Sequence, residues 1–409
     1  MDATENPYNP GAGTPPPALV GREKEIEAVE VTLRRLRSGK NSKSALFTGL
    51  RGVGKTVLLN HFEILAASHG YVTDYLEIEE DDIFAPRLAA SIRKILLSID
   101  AKRKVGDRIQ RALGILKGFT LQLPGGPGIS FDVAAISGPA DSGNLADDLG
   151  AVFVELGEIA RDHDVGVMIA LDELQFVDKK TLAALFMGLH RAAQLSLPVT
   201  VIGAGLPSLT TIAGQARSYA ERMFSFPVIG SLGLSDARNA LELPARKLGV
   251  DWTPEAIART VGITEGYPYF LQEFGKQAWN TAIGPKVIHE DDVARCEQLV
   301  IAELDDGFFK VRTGSTTDVQ REYLRAMAEL APGPILSGEV ARLLFNTTPG
   351  VGPIRDQLIK AGLCYAPRRN ELAFTVPMFD QFMKRWIPDL NPGASKSATS
   401  RHEAAVSSS

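Results

Sequence analysis

Eight consecutive residues, Gly49, Leu50, Arg51, Gly52, Val53, Gly54, Lys55 and Thr56, carry the spacing G-x-x-x-x-G-K-[ST]. The chemistry served by that spacing is the gripping of phosphates. Glycines let the backbone curl until successive N–H groups face one concavity, where an anion sits. A helix that starts at the lysine adds the favourable potential of its amino end. The lysine reaches the β- and γ-phosphates, and the threonine hydroxyl is a ligand for Mg²⁺. A chance glycine-rich turn would need neither a strand before it nor a helix after it. Here Ser44–Thr48 reads as a buried strand and Thr56–Ser68 as a helix.

A second constellation follows the apolar run Val167–Leu171, which ends in Asp172 and Glu173. Two carboxylates at the end of a buried strand suit the other half of a phosphate site. Asp172 is then the metal ligand, directly or through a water, and Glu173 the general base that polarises an attacking water. The plainer alternative is an acidic pair that caps a strand end, and the nearby phosphate motif weighs against it. A third feature is Arg217 with Arg222, just before the apolar stretch Phe224–Val228. An arginine there either reaches a γ-phosphate, in its own subunit or from a neighbour, or is a solvated surface residue.

These side chains need a scaffold, and the hydrophobic pattern supplies one. Tyr71–Glu77, Val165–Leu171, Val199–Ile202 and Phe224–Val228 read as strands that alternate with helices, which implies a parallel sheet with helical cover. Phe119–Leu123 and Ile129–Val133 flank a Pro-Gly-Gly-Pro-Gly turn and read as an inserted hairpin. From Ser231 onward the pattern turns helical. Thr253, Pro254 and Glu255 have the order of an N-cap, an N1 proline and an early acid.

Residues 316–386 read as a winged helix, with helices at Asp318–Leu330, Ser337–Leu344 and Val351–Ala361. Leu363–Ala366 and Glu371–Thr375 are then strands around the turn Pro367–Asn370, and a last helix spans Pro377–Trp386. Arg355, Lys360, Arg368 and Arg369 are the DNA-facing candidates in such a module. Interleaved acids such as Asp356 and Glu371 equally suit a protein-docking or autoinhibitory domain.

The whole chain sets wider bounds. Its 409 residues imply two or three domains, and 44% apolar with 23% charged residues is ordinary for a globular protein. A net charge of −5 excludes a polycation, so any nucleic-acid contact must come from a local patch. The two cysteines, Cys296 and Cys364, form no metal or disulfide pattern. No signal peptide or membrane span is expected, which predicts a cytoplasmic protein with no membrane partner. The Pro/Gly/Asn-rich residues 1–17 and the Ser/Ala-rich residues 391–409 are expected to be disordered.

With these residues in view, the chain resembles bacterial AAA+/STAND-type P-loop ATPases, relatives of archaeal-type ATPases and origin-recognition initiators. The resemblance runs over residues 18–390. Leu19-Val20-Gly21-Arg22-Glu23 is similar to the segment that packs against adenine in that clade, which implies ATP and assigns Val20, Gly21 and Arg22 to its binding. Gly266-Tyr267-Pro268 resembles a lid motif whose proline, here Pro268, lies near the base; the alternative is a turn that opens a helix. Residues 218–224 resemble the segment with the clade's arginine finger or sensor, which favours Arg222 over Arg217.

Two features depart from the family pattern. The lid arginine is missing where Gly266-Tyr267-Pro268 stands, and residues 203–207 offer no Asn or Arg to sense a γ-phosphate. The resemblance then implies a P-loop ATPase core at 18–230, a helical lid at 231–311 and a winged helix at 312–390. It also implies a slow, Mg²⁺-dependent ATP switch that acts on a protein or DNA partner, in a monomer or a homo-oligomer. An initiator or loader, and a nucleotide-binding scaffold with little turnover, are the alternatives.

Overall fold

Two strands in which all seven residues are buried, Gly166–Asp172 and Val199–Gly205, form the centre of a six-stranded sheet. In the computed structural model, residues 1–11, 13–80, 82–103, 107–121, 142–216, 220–333 and 335–390 are described. The chain divides into two compact units. One holds Ala12–Pro15 and Leu19–Gly230; the other holds Met1–Gly11, Pro16–Ala18 and the chain from Ser231 onward.

The first unit runs α1 (Glu23–Arg37), β1 (Ser44–Gly49), α2 (Lys55–Ser68), β2 (Tyr71–Glu77), α3 (Phe84–Arg103), α4 (Asp107–Leu121), α5 (Leu145–Asp162), β3 (Gly166–Asp172), α6 (Lys179–Gln194), β4 (Val199–Gly205), α7 (Ser208–Ala216), α8 (Ala220–Met223), β5 (Phe224–Ser225) and β6 (Val228–Ile229). The sheet order is β2-β3-β4-β1-β5, with β6 also on β1, and every pairing is parallel. Side chains buried on both faces explain why these strands read as continuous apolar runs. The register aligns Thr48 with Gly205 and Glu77 with Asp172, so the carboxyl ends of β1, β3 and β4 open on one edge.

Two sequence expectations change here. The strand expected at Phe224–Val228 splits in two, because Pro227 has no N–H to give to a ladder. Its carbonyl still accepts the Thr48 N–H at 2.8 Å. Phe119–Leu121, expected in a hairpin strand, close helix α4 instead. The buried positions Ile109, Ala112, Leu113 and Leu116 repeat at helical spacing and carry the helix through. The remainder of that hairpin, residues 122–133, lies outside the described residues, as does the tail expected to be disordered at 391–409.

The second unit runs α9 (Leu234–Arg246), β7 (Asp251–Trp252), α10 (Pro254–Thr264), α11 (Pro268–Thr281), β8 (Val287–Ile288) and α12 (Glu290–Leu304). A π turn at Asp305–Phe309 leads into α13 (Lys310–Thr313). Then come α14 (Asp318–Leu330), β9 (Ile335–Leu336), α15 (Ser337–Leu343), α16 (Thr348–Lys360), β10 (Cys364–Tyr365), β11 (Glu371–Phe374) and α17 (Phe379–Trp386). The last three strands pair antiparallel in the order β10-β11-β9. The Thr253 side chain caps α10 at the Ala256 N–H, 3.2 Å. Ser337, expected as a cap, is buried inside the first turn of α15, after Leu336 at the cap position.

An aromatic ladder ties this unit together. Phe309 stacks on Phe382 at 5.0 Å, Phe382 on Trp386 at 5.3 Å, and Phe270 meets Phe309 edge-on at 6.2 Å. Arg385 adds a two-pronged ion pair to Asp305, at 2.8 and 2.6 Å. These contacts join residues on either side of the boundary expected between 311 and 312.

The amino terminus also departs from expectation. Residues 1–11, expected to be disordered, are anchored by Tyr8, which is 3% exposed. Its hydroxyl donates to the Leu241 carbonyl and accepts the Trp252 indole N–H at 2.8 Å. Asn6 Nδ2 donates to the Lys276 carbonyl at 2.9 Å, and Trp279 Nε1 donates to the Asp2 carbonyl at 2.8 Å. Gly275 makes room for the ring, since a Cβ there would meet Tyr8 Cδ1 at 2.6 Å. A Pro/Gly/Asn-rich composition signals loose chain only on average; one aromatic ring with a polar tip is enough to fix it. Among the described residues, no helix is long and apolar enough to cross a membrane.

Candidate active site

The phosphate motif follows β1 and turns into α2. Gly52 (φ 86°) and Gly54 (φ 93°) occupy left-handed backbone where other residues are strained. Gly49 is required for a different reason. A Cβ there would stand 2.3 Å from the Ile229 carbonyl oxygen, so the end of β1 lies hard against β6. Lys55 is 6% exposed, and its Nζ donates to the Leu50 carbonyl at 2.9 Å, which holds the ammonium across the loop. Among the described residues, no side chain caps the amino end of α2.

Asp172 ends β3 opposite this loop and is 1% exposed. Its Oδ2 accepts from Thr56 Oγ1 at 2.6 Å and from the Tyr75 hydroxyl at 3.1 Å, and its Oδ1 from the Glu173 N–H at 2.8 Å. Burial pushes the carboxyl pKa above its ordinary value and the negative charge of Glu173 adds to this, while the Thr56 bond works against it. Burial likewise raises the Tyr75 hydroxyl, reinforced by Asp172. The backbone turns left-handed at Glu173 (φ 56°, ψ 38°) directly after the strand. Gln175 Nε2 donates to Glu173 Oε2. Gln175 Oε1 in turn accepts the Leu206 N–H at 2.9 Å.

A lysine, a hydroxyl and two carboxylates thus converge at the carboxyl edge of a parallel sheet. Thr56 Oγ1 and Asp172 Oδ2 are hard oxygen donors of the kind Mg²⁺ takes. Among the described residues no cluster of three or more His, Cys, Asp or Glu could hold a metal by itself. One carboxylate and one hydroxyl fit an ion that also relies on phosphate oxygens and waters.

Residues 18–202 match the AAA ATPase domain family. Over this region the chain is similar to AAA ATPase domains. Residues 306–383 match a domain of unknown function (DUF8462). The Walker-type ATPase PABY2304 of Pyrococcus abyssi is similar over 90% of this chain and 96% of that one, at 15% identity and a TM-score of 0.56. The Orc1 protein of Aeropyrum pernix, in complex with DNA, is 16% identical with a TM-score of 0.42, over 90% of this chain and 93% of its own. The RuvB Holliday junction branch migration motor of Thermotoga maritima is 15% identical with a TM-score of 0.41, over 86% and 92%. At 15% identity the likeness to the Pyrococcus ATPase is one of fold. No curated protein matches the chain.

Other expected residues of the AAA domain have different surroundings. Arg22 is 7% exposed, and its guanidinium donates to the carbonyls of Gly230 (2.6 Å), Val53 (3.3 Å) and Gly21 (3.2 Å). It therefore clasps the phosphate loop to both ends of its unit. Gly21 has φ 68°, and Val20 beside it is half-buried. Gly13 lies on the first turn of α2, where a Cβ would meet Thr56 Cγ2 at 3.1 Å.

Arg222 is exposed and lies at the opposite end of the sheet. The neighbouring Phe224 pairs with Ser44, the first residue of β1, whereas the phosphate loop leaves from Gly49, its last. Five strand steps of ~3.3 Å separate the two ends by roughly 16 Å. Action of Arg222 on a γ-phosphate of its own subunit is thereby set aside. The residue instead lines a groove of about 690 Å³ with Arg35, Lys43 and His190. Arg217 lies outside the described residues. Pro268 belongs to the second unit, where it opens α11; a Cβ on Gly266 would meet the Leu232 carbonyl oxygen at 2.4 Å. Glycine and proline there have a sufficient local reason, close backbone approach and a helix start.

Sequence reading missed two site residues. Tyr75 carries a weak signal, since it lies on the strand that neighbours β3 and two residues before the partner of Asp172. Gln175 carries almost none.

Proposed function

We propose that the chain is a cytoplasmic, Mg²⁺-dependent ATP switch of slow turnover. The observation that carries this reading is the 2.6 Å bond between Thr56 and Asp172, beside Lys55 and Glu173. In this reading the N–H groups of Gly52, Val53, Gly54 and Lys55 cradle the phosphates, with Gly49, Leu50 and Arg51 shaping the loop. Lys55 leaves the Leu50 carbonyl for the β- and γ-phosphates. Thr56 and Asp172 hold Mg²⁺, which when bound neutralises charge on the phosphate oxygens. Glu173 orients a water and takes its proton as the water oxygen attacks the γ-phosphorus. The bond to the β-phosphate oxygen breaks, leaving ADP and phosphate. Val20 and Gly21 flank the adenine.

Slow turnover is supported by the end of β4. Gly205 offers no polar side chain, and in this state Asp172 is engaged by the Tyr75 hydroxyl as well as by Thr56. Arg222 is exposed and far from its own loop, which supports a role only towards a second copy of the chain. Titration calorimetry tests the nucleotide claim. Lys55→Ala is expected to lose ATP binding, and equal affinity in both proteins would overturn it. Glu173→Gln is expected to bind ATP and release phosphate at least 100-fold more slowly, the lower range of a positioned general base. Wild-type phosphate release by that variant would remove Glu173 as the base.

For the partner, the order of helices and the β10-β11-β9 sheet in residues 318–386 support a winged-helix reading. DNA is the second reading for this module. Arg368 and Arg369 are both exposed on the turn between β10 and β11. Arg355 contributes less charge than its position suggests, since Asp356 accepts two of its N–H groups at 3.0 and 2.8 Å. A protein client acting through the same surface is the first reading.

A further inference from the structure

We propose that Gln175 is the positioning residue of the hydrolytic step: it clamps the Glu173 carboxylate by one oxygen and fastens it to the end of β4. The inference rests on Glu173 as the base. Gln175 stands two residues after Glu173, on the short 3-10 turn Leu174–Phe176. Its amide uses both ends. Nε2 donates to Glu173 Oε2, and Oε1 accepts the Leu206 N–H at 2.9 Å.

These partners leave the amide one orientation. A carboxylate can only accept and a backbone N–H can only donate, so a flipped amide would set donor against donor and acceptor against acceptor. The amide is therefore a rigid strut between two loops that come from different strands, β3 and β4.

Space for the strut comes from Gly205. A Cβ on that residue would stand 2.8 Å from Gln175 Oε1 and 2.9 Å from Leu209 Cδ2. The end of β4 thus lacks a polar side chain of its own, and the Gln175 amide occupies the position such a side chain would need. Glycine at 205 and glutamine at 175 are two halves of one arrangement.

The consequence for chemistry concerns the two carboxylate oxygens. Oε2 of Glu173 is held by the amide, which leaves Oε1 to accept a proton from water. Without the strut, no other side-chain hydrogen bond among the described residues holds the Glu173 carboxylate, and its side chain can rotate away from the line of attack. Small misplacements of a base lower the rate steeply while the ground-state complex is untouched. The strut also makes the base sensitive to any movement of the β4 end.

The test is single-turnover and steady-state hydrolysis by the full chain, with ATP affinity measured in parallel. Gln175→Ala is expected to lower kcat by about 10- to 100-fold, the scale of a misplaced reacting group, with ATP affinity within about twofold of wild type. Gln175→Glu keeps the acceptor for Leu206 but loses the donor to Glu173, and it should fall at least as far. Gly205→Ala, which displaces the amide without touching it chemically, should lower kcat in the same direction.

The Glu173→Gln background decides how Gln175 acts. There, Gln175→Ala should have no further effect, because a residue acting only through Glu173 has nothing left to position. An unchanged kcat in Gln175→Ala overturns the proposal, as does an equal further loss in the Glu173→Gln background. If Glu173→Gln itself hydrolyses at the wild-type rate, the base assignment fails first, and that outcome is read independently of any Gln175 variant.

Discussion

Tyr8 offers a test of how the amino-terminal segment is held. Its ring is buried against Trp252, with centroids 6.2 Å apart and planes at 89°. Its hydroxyl accepts the Trp252 indole N–H, and Trp252 is itself 4% exposed. Tyr8→Phe keeps the ring and leaves that N–H buried and unsatisfied, at a cost of about 1–3 kcal/mol. Tyr8→Ala also removes the ring, and emptying an aromatic site costs ~3–5 kcal/mol. All three tryptophans, Trp252, Trp279 and Trp386, lie in the second unit, so urea unfolding followed by their fluorescence reads that unit alone. With a slope of roughly 2 kcal/mol per molar urea, Tyr8→Ala should move the midpoint down by about 2 M, and Tyr8→Phe by about 1 M. A Tyr8→Ala midpoint within ~0.25 M of wild type, equivalent to a surface substitution, would mean that residues 1–11 are not part of this body.

Further perturbations probe other parts of the molecule. Gly49→Ala should destabilise the first unit by about 1–3 kcal/mol through the clash with Ile229, seen by calorimetric melting, and weaken ATP binding; an unchanged melt would show that β1 and β6 can part freely. Arg222→Ala should slow phosphate release with ATP affinity unchanged, and mixing it with Lys55→Ala protein should restore part of the turnover. No restoration would rule out action between subunits. Arg368→Ala with Arg369→Ala should weaken duplex binding in fluorescence anisotropy by a similar factor for all sequences, more at low salt than at high. Absence of any duplex binding by the full chain at low salt leaves residues 318–386 as a protein-docking module.

The centre of the fold was legible because the physics is local there. Runs of apolar residues that end in a glycine loop or in Asp172-Glu173 fix strand, loop and helix within a dozen positions. The same holds for Thr253 and Pro254 at the start of α10, where cap and proline act on their own turn. What escaped depends on distant partners. Tyr8 reaches Leu241 and Trp252 across more than 230 positions, and no property of residues 1–17 alone announces this. Arg222 has the right neighbours in sequence, yet the register Ser44 with Phe224 puts it at the far end of the strand from the loop it was expected to serve. Gln175 is an ordinary polar residue until Gly205 leaves room beside it. Helix α4 takes in Phe119–Leu121, expected as strand, because its apolar face repeats at 3.6 residues.

The π turn at Asp305–Phe309 joins α12 to α13 with no break in the helical backbone, and its Phe309 and Asp305 are gripped by α17. Mechanically this is a coupling without a loop at which the two could part. A rotation of α12 would carry α17 with it. A chain cut at residue 312 would bare Phe309 and Phe270 to water, so it should aggregate or melt early and not behave as a clean ATPase fragment. A truncated chain that stays monomeric in sedimentation and melts at the full-length midpoint would show that the coupling is loose.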